Sequence, residues 1–264
     1  MNRKKGFTKI TDQDIYYEIL QPELLDEKNS CLVFLHEGLG SVGQWKDFPS
    51  LLSEITNLPA LIYDRLGHGK SFKLNHKRRL SFMEEEASLY LPQLLQNLNI
   101  SHSLILVGHS DGGTISLLTG VFSGLPLEGI ISMAAHTYVE EITILGIKEA
   151  VQAFQNGRLR SSLEKYHSEN TESMFYAWAD TWLSPDMRNF DIRKLMSHIR
   201  VPCLAIQGKY DQYGSVNQVF SITDAVSENG MPILLDNCGH IPHIQAKDLV
   251  LKACSDFISK INAS

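Results

Sequence analysis

Ser110 lies inside Gly108-His109-Ser110-Asp111-Gly112-Gly113, a G-x-S-x-G pattern, and a serine flanked in this way can attack a carbonyl. The apolar run Leu104-Ile105-Leu106-Val107 precedes it. Thr114-Ile115-Ser116-Leu117-Leu118 follows, with apolar residues at helical spacing. Strand, tight turn and helix form the setting such a nucleophile needs, because the sharp bend lifts its Oγ clear of the sheet. Glycine is required at 108 and 112, where a Cβ would collide with neighbouring backbone. The helix that begins at Ser110 turns its positive end and free N–H groups toward charge developing on a substrate.

A serine hydroxyl alone is a weak nucleophile. It needs a base, and the base needs an orienting acid. Two later segments supply them: Gln207-Gly208-Lys209-Tyr210-Asp211 follows the run Cys203-Leu204-Ala205-Ile206, and Cys238-Gly239-His240 follows Ile233-Leu234-Leu235. In an open α/β sheet, functional residues gather just past the carboxyl ends of strands. Ser110, Asp211 and His240 stand in the chain order serine, acid, histidine. Asp211 ranks above Asp236 as the acid, because Asp236 sits too close to His240 along the chain. Either aspartate would also suit a turn.

Positioning these groups is the task of alternating strands and helices. Ile15-Tyr16-Tyr17-Glu18-Ile19-Leu20 reads as a strand paired with residues 7–10 in an N-terminal hairpin. Cys31-Leu32-Val33-Phe34-Leu35, Leu61-Ile62-Tyr63 and Ile130-Ile131-Ser132-Met133-Ala134 are continuous apolar runs, the mark of strands buried on both faces. Helices are expected at about 45–56, 82–98 and 216–226, and at the C-terminus, with Gly124 stopping the helix that follows Ser110. Alternating βα units predict a mostly parallel sheet covered on both faces. The rhythm breaks at 136–197, which holds only helical patterns rich in aromatics, including Trp178 and Trp182. The expected organisation is an α/β core from 1–135 and 198–264, with 136–197 inserted as a helical cap, or lid.

A length of 264 residues is near the upper limit for one core, which suits a single domain with an insertion. The hydrophobic share of 43% and charged share of 20% are those of a soluble globular protein. A net charge of −6 gives no footing for nucleic acid or an anionic membrane as partner. The basic opening Met1-Asn2-Arg3-Lys4-Lys5 has no apolar stretch behind it, so no signal peptide is expected, and no run is long enough to span a bilayer. Cys31, Cys203, Cys238 and Cys254 form no C-x-x-C pair, and three sit in apolar runs. Reduced, buried thiols in a cytoplasmic protein are the expectation. The pattern carries no information on oligomeric state.

The whole chain resembles the α/β-hydrolase fold family. The resemblance is carried by His36-Glu37-Gly38-Leu39-Gly40-Ser41, by Asp64-Arg65-Leu66-Gly67-His68-Gly69-Lys70-Ser71, by the Ser110 turn, by Gly208-x-x-Asp211 and by Gly239-His240. It implies an α/β-hydrolase fold with a helical cap and a cofactor-free serine hydrolase. Ser110 would attack a carbonyl, His240 would take its proton, and Asp211 would hold the imidazole. The resemblance assigns one oxyanion-hole N–H to Asp111 and the other to the loop after the Cys31–Leu35 strand, at Gly38 or, as second choice, Leu39. The implied substrate is a small, apolar ester, lactone or thioester, and the chain is similar also to enol-lactonases and carbon–carbon bond hydrolases. Two departures stand out: His36-Glu37 replaces the usual His-Gly, and Asp111 replaces an apolar residue common in relatives. Two acids beside an oxyanion hole oppose negative charge unless neutralised or turned away. Glu37 is expected to pair with Arg65; the alternative is contact with substrate or assistance to water. Leu39, His109, Trp178 and Trp182 are expected at the substrate pocket, although His109, like His36, also reads as a hydrogen-bonded packing residue.

Other readings compete with this one. Gly38-Leu39-Gly40-Ser41-Val42-Gly43 is a literal G-x-G-x-x-G, but two residues separate it from its strand and it explains none of Ser110, Asp211 and His240. The phosphate-loop pattern around Gly67-His68-Gly69-Lys70-Ser71 lacks its first glycine, since Asp64 stands there, and His36-Glu37 fails as a zinc motif at Gly40. His240 and His243 could share a metal, yet no third ligand is apparent, so none is expected. The same scaffold could also run lyase or cofactor-free peroxidase chemistry with the serine as proton shuttle. It could equally serve as a receptor-like binding module.

Overall fold

The computed structural model describes residues 1–25 and 30–262, so positions 26–29 and 263–264 of the expected core lie outside the described residues. Eight strands form one sheet in the order β1 (Arg3–Ile10), β2 (Gln13–Leu20), β4 (Ala60–Tyr63), β3 (Cys31–Leu35), β5 (Leu104–His109), β6 (Leu127–Met133), β7 (Cys203–Gly208) and β8 (Gly230–Leu235). β1 runs antiparallel to β2, and β2 antiparallel to β4; every other pairing is parallel. The hairpin is longer than expected because β1 extends back to Arg3, which pairs with Leu20.

Continuous apolar strands arise because both faces are covered. In β3, Cys31, Val33 and Leu35 enter one core, with Leu91, Leu94 and Leu95 of α3 (Leu91–Asn97), Ile115 and Leu118 of α4 (Asp111–Phe122), and Val219 and Ile222 of α8 (Asn217–Val226). Leu32 and Phe34 enter the opposite core, with Phe48 and Leu52 of α1 (Phe48–Thr56) and Val250, Phe257 and Ile258 of α9 (Lys247–Asn262). The two-residue period of the strand thus divides one apolar run between two layers of helices.

Two expected helices differ in detail. The helix expected from about Trp45 begins only at Phe48, because Lys46 adopts φ 56°, outside the helical region, after a 3₁₀ turn at Val42–Trp45; Pro49 then suits the first turn. The helix at 82–98 is divided into α2 (Phe82–Glu85), a π-helical turn (Glu86–Tyr90) and α3. Pro92 in the first turn of α3 has no N–H and would clash with a carbonyl one turn back, so the wider π turn falls where the α ladder cannot continue. Gly124, at φ 65°, follows the end of α4.

Between β6 and β7 lie α5 (Glu141–Gln155), α6 (Arg158–His167) and α7 (Thr171–Trp182). Glu140 ties the start of α5 to the loop after β7, accepting hydrogen bonds from Ser215 N–H at 2.9 Å, Ser215 Oγ at 2.6 Å and Gln218 Nε2 at 2.7 Å. No helix among the described residues is long and apolar enough to cross a membrane. All four cysteines are buried and unpaired.

Candidate active site

The chain winds from β3 outward through β4 and from β5 in the other direction, so the topological switch lies between the adjacent strands β3 and β5. Ser110 follows β5 and Gly38 follows β3, which places both at that switch. Ser110 adopts φ 53° and ψ −119°, the strained turn between β5 and α4. A Cβ on Gly108 would meet Gly112 O at 2.2 Å, and one on Gly112 would meet Leu35 O at 1.9 Å. These contacts are what exclude any side chain at either position.

The loops after β7 and β8 carry Asp211 and His240 to the same rim. His240 Nε2 lies 2.9 Å from Ser110 Oγ, and His240 Nδ1 lies 2.9 Å from each carboxylate oxygen of Asp211. With neutral imidazole, Nδ1–H donates to Asp211 and Nε2 accepts from the serine hydroxyl. Asp211 Oδ1 also accepts from the Tyr213 N–H at 2.8 Å, and Oδ2 from Gln207 Nε2 at 3.3 Å. Burial alone would raise the Asp211 pKa, but the charge and hydrogen bond of His240 outweigh it and hold the carboxyl below its usual range. Burial likewise disfavours protonated His240, yet Asp211 first, then Glu37 and Asp111, hold the imidazole above its ordinary value. Asp236 pairs with Lys209 at 2.7 Å on the surface instead.

Glu37 corrects the expected ion pair. Arg65 Nη2 donates to the backbone carbonyl of Glu37 at 2.8 Å and to that of His36 at 3.2 Å, not to the Glu37 carboxylate. The carboxylate near Arg65 is Asp111, at 3.9 Å, with side chains only 2% and 1% exposed. Asp111 Oδ1 also accepts from Trp182 Nε1 at 3.2 Å. Backbone competition explains the switch: a carbonyl sequence-adjacent to the strand end is nearer the guanidinium than the side chain beyond it.

The Glu37 carbonyl is held from a second side by His36 Nδ1–H at 2.7 Å, since His36 Nε2 accepts from the Arg65 N–H at 3.0 Å. No peptide among the described residues is cis, so the Gly38 N–H points opposite to that carbonyl. Arg65 and His36 therefore fix the direction of the Gly38 amide. The Asp111 amide, at the first position of α4, has no intrahelical acceptor. Both residues border one cavity with Ser110 and His240.

That cavity has a volume of about 40 Å³. Leu39, Trp178, Trp182 and Tyr213 supply apolar and aromatic wall, and the Trp178 ring lies where a Cβ on Gly38 would stand, 2.3 Å from it. Glu37 is partly exposed and lines this cavity. Burial pushes its carboxyl above the usual carboxylate range, and His240 pulls it part of the way back. Two larger cavities, of about 540 and 560 Å³, flank the segment 74–80 rather than Ser110.

His109 departs from its expected place at the pocket. It does not border the cavity; its Nε2–H donates to the His240 carbonyl at 2.6 Å, bracing the loop that carries the imidazole. His243 packs against Trp45 and Phe48, with ring centroids at 4.6 and 5.6 Å. Ligand atoms of Glu37, His109 and His240 lie within 4.8 Å of one another, but the imidazoles are already committed to Ser110, Asp211 and the His240 carbonyl. Three supporting residues escaped the sequence reading. Tyr213 stacks obliquely on His240 at 4.6 Å, and its carbonyl accepts from Thr143 Oγ1 and His136 Nε2 at 2.6 and 3.0 Å. Gln207 holds Asp211. The signal for His136 was its place just past β6, where every neighbouring strand also ends in a site residue.

No curated protein matches the chain. Similar folds are seen in the enol-lactonase from Burkholderia xenovorans LB400, at 17% identity and TM-score 0.75, covering 96% of this chain and 100% of that one. A serine hydrolase involved in carbazole degradation matches at 18% identity and TM-score 0.74, covering 98% and 99%. An α/β hydrolase from a Medee basin deep-sea metagenome library matches at 17% identity and TM-score 0.77, covering 96% and 97%. Residues 32–253 match the model of the alpha/beta hydrolase family, and the chain, with its eight-stranded sheet and Ser110 at the β5–α4 turn, belongs to that family.

Proposed function

We propose that the protein is a cofactor-free serine hydrolase that cleaves a small carboxylic ester, lactone or thioester through an acyl-enzyme on Ser110. The observation that carries this reading is the unbroken relay of 2.9 Å contacts from Ser110 Oγ through His240 to Asp211. His240 Nε2 takes the hydroxyl proton as Oγ adds to the carbonyl, and the imidazolium that forms is stabilised by Asp211. The Gly38 and Asp111 amides receive the oxyanion. His240 then returns the proton to the departing alkoxide or thiolate. Water deprotonated by the same imidazole attacks the acyl-enzyme, releasing the acid and restoring Ser110.

A cavity of about 40 Å³ favours an acyl group of a few heavy atoms. In this reading 136–197 forms a cap whose Trp178 and Trp182 close the cavity over Ser110. The similar structures include an enol-lactonase and a serine hydrolase, which agrees with the reaction class. Four unpaired, buried thiols suit a cytoplasmic enzyme. A series of p-nitrophenyl esters of graded chain length tests the reading. A burst of p-nitrophenol equal to the enzyme concentration, fastest for the shortest acyl groups and absent in Ser110→Ala, is expected. Equal turnover by Ser110→Ala would overturn it.

A further inference from the structure

Glu37 is the acid of the catalytic cavity whose carboxylate no side chain or backbone group holds among the described residues, although Asp111 Oδ2 also accepts no hydrogen bond there. Asp111 has the Arg65 guanidinium at 3.9 Å and the Trp182 indole N–H at 3.2 Å, and Asp211 has His240 and the Tyr213 amide. Among the described residues, no hydrogen bond or ion pair holds the Glu37 carboxylate; the cation beside it, Arg65, is taken up by its backbone carbonyl. A carboxylate that lines a cavity without a hydrogen-bond partner is free to receive one from a ligand.

From this, and resting on the hydrolase reading, we propose that Glu37 is a substrate-recognition residue whose carboxylate binds an ammonium group carried by the acyl part of the substrate, next to the scissile carbonyl. Three features support a cation there. The remaining walls are the faces and edges of Trp178, Trp182 and Tyr213, surfaces that attract an ammonium ion. Glu37 and Asp111 together repel a carboxylate at the same place. Finally, the oxyanion that forms on the substrate carbonyl lies in the same small cavity as the Glu37 carboxylate, and a substrate ammonium offsets their repulsion as it enters. The cavity volume of about 40 Å³ accepts an acyl group of glycyl size. The substrate proposed is then a small aminoacyl ester or thioester in place of an apolar one.

The phenyl esters of glycine, propionic acid and malonic acid (as its monoester) differ only in an ammonium, methyl or carboxylate group at the end of the acyl chain. Their kcat/KM values at neutral pH, corrected for spontaneous hydrolysis, are compared in wild type and Glu37→Gln. Wild type is expected to prefer the glycyl over the propionyl ester about tenfold or more, with the malonyl ester slowest. In Glu37→Gln the glycyl-to-propionyl ratio is expected to fall toward one. A merely structural role for Glu37 would lower both rates and leave their ratio unchanged. The wild-type ranking needs no variant: propionyl turned over as fast as glycyl overturns the proposal while leaving the hydrolase reading intact. Background rates with all three esters, together with no covalent labelling of Ser110, would overturn the hydrolase reading and this proposal with it.

Discussion

At the scale of single residues, the proposed chemistry depends on a histidine kept basic by its neighbours. Asp211, Glu37 and Asp111 hold the His240 imidazole above its ordinary pKa against the effect of burial. A general base must be unprotonated, so kcat/KM is expected to fall as pH drops, with the acid limb above the ordinary imidazole value of about 6.5. In Asp211→Asn the limb should move to lower pH and the plateau should fall by about 10⁴-fold. An unmoved limb would show that another group controls the profile. Arg65 acts one step removed, through the Glu37 carbonyl that sets the Gly38 amide. Arg65→Lys replaces a planar fork by a point charge. It should reduce kcat by about 10²-fold with little change in KM, because the oxyanion contact forms in the transition state. A change confined to KM would contradict that role.

At the scale of elements, the turn between β5 and α4 tolerates no extra atom. Gly112→Ala places a Cβ 1.9 Å from Leu35 O, which is backbone and cannot swing aside. A loss above about 3 kcal/mol is expected in urea unfolding; near wild-type stability would show that the turn can relax. This geometry was legible in the sequence because glycine spacing reports backbone crowding directly. So were the strands, whose apolar runs betray burial on both faces, and the order of Ser110, Asp211 and His240. The Glu37 carboxylate was not legible: a strand-end acid beside a strand-end arginine suggests an ion pair, and only coordinates reveal that the guanidinium prefers backbone carbonyls. His109 was legible as a hydrogen-bonded packing residue but not as one kept out of the cavity, since whether a side chain faces cavity or core depends on a half-turn that residue types do not encode. Tyr213 escaped because its part is played by the backbone N–H and C=O, which every residue possesses.

At the scale of the molecule, one sheet with a helical layer on each face brings six strand ends to one rim, and His243 shows what that packing costs in acid. It is buried against Trp45 and Phe48, and desolvation lowers its pKa to about 3. Above pH 6.5 it is neutral in both folded and unfolded chains. Below that, the unfolded chain binds a proton that the folded one refuses until about pH 3, so stability falls with falling pH, by about 1.4 kcal/mol per unit. His243→Phe should lose roughly 3 kcal/mol less than wild type between neutral pH and pH 4.5, as read from denaturant midpoints; parallel curves would place the His243 proton elsewhere. The central claim, that the fold exists to make Ser110 a nucleophile, is tested most directly by a fluorophosphonate probe and mass mapping of the adduct. The account predicts one adduct per chain, on Ser110, formed quickly by wild type and not by His240→Ala. An enzyme that hydrolyses esters yet carries no label on Ser110 would contradict it.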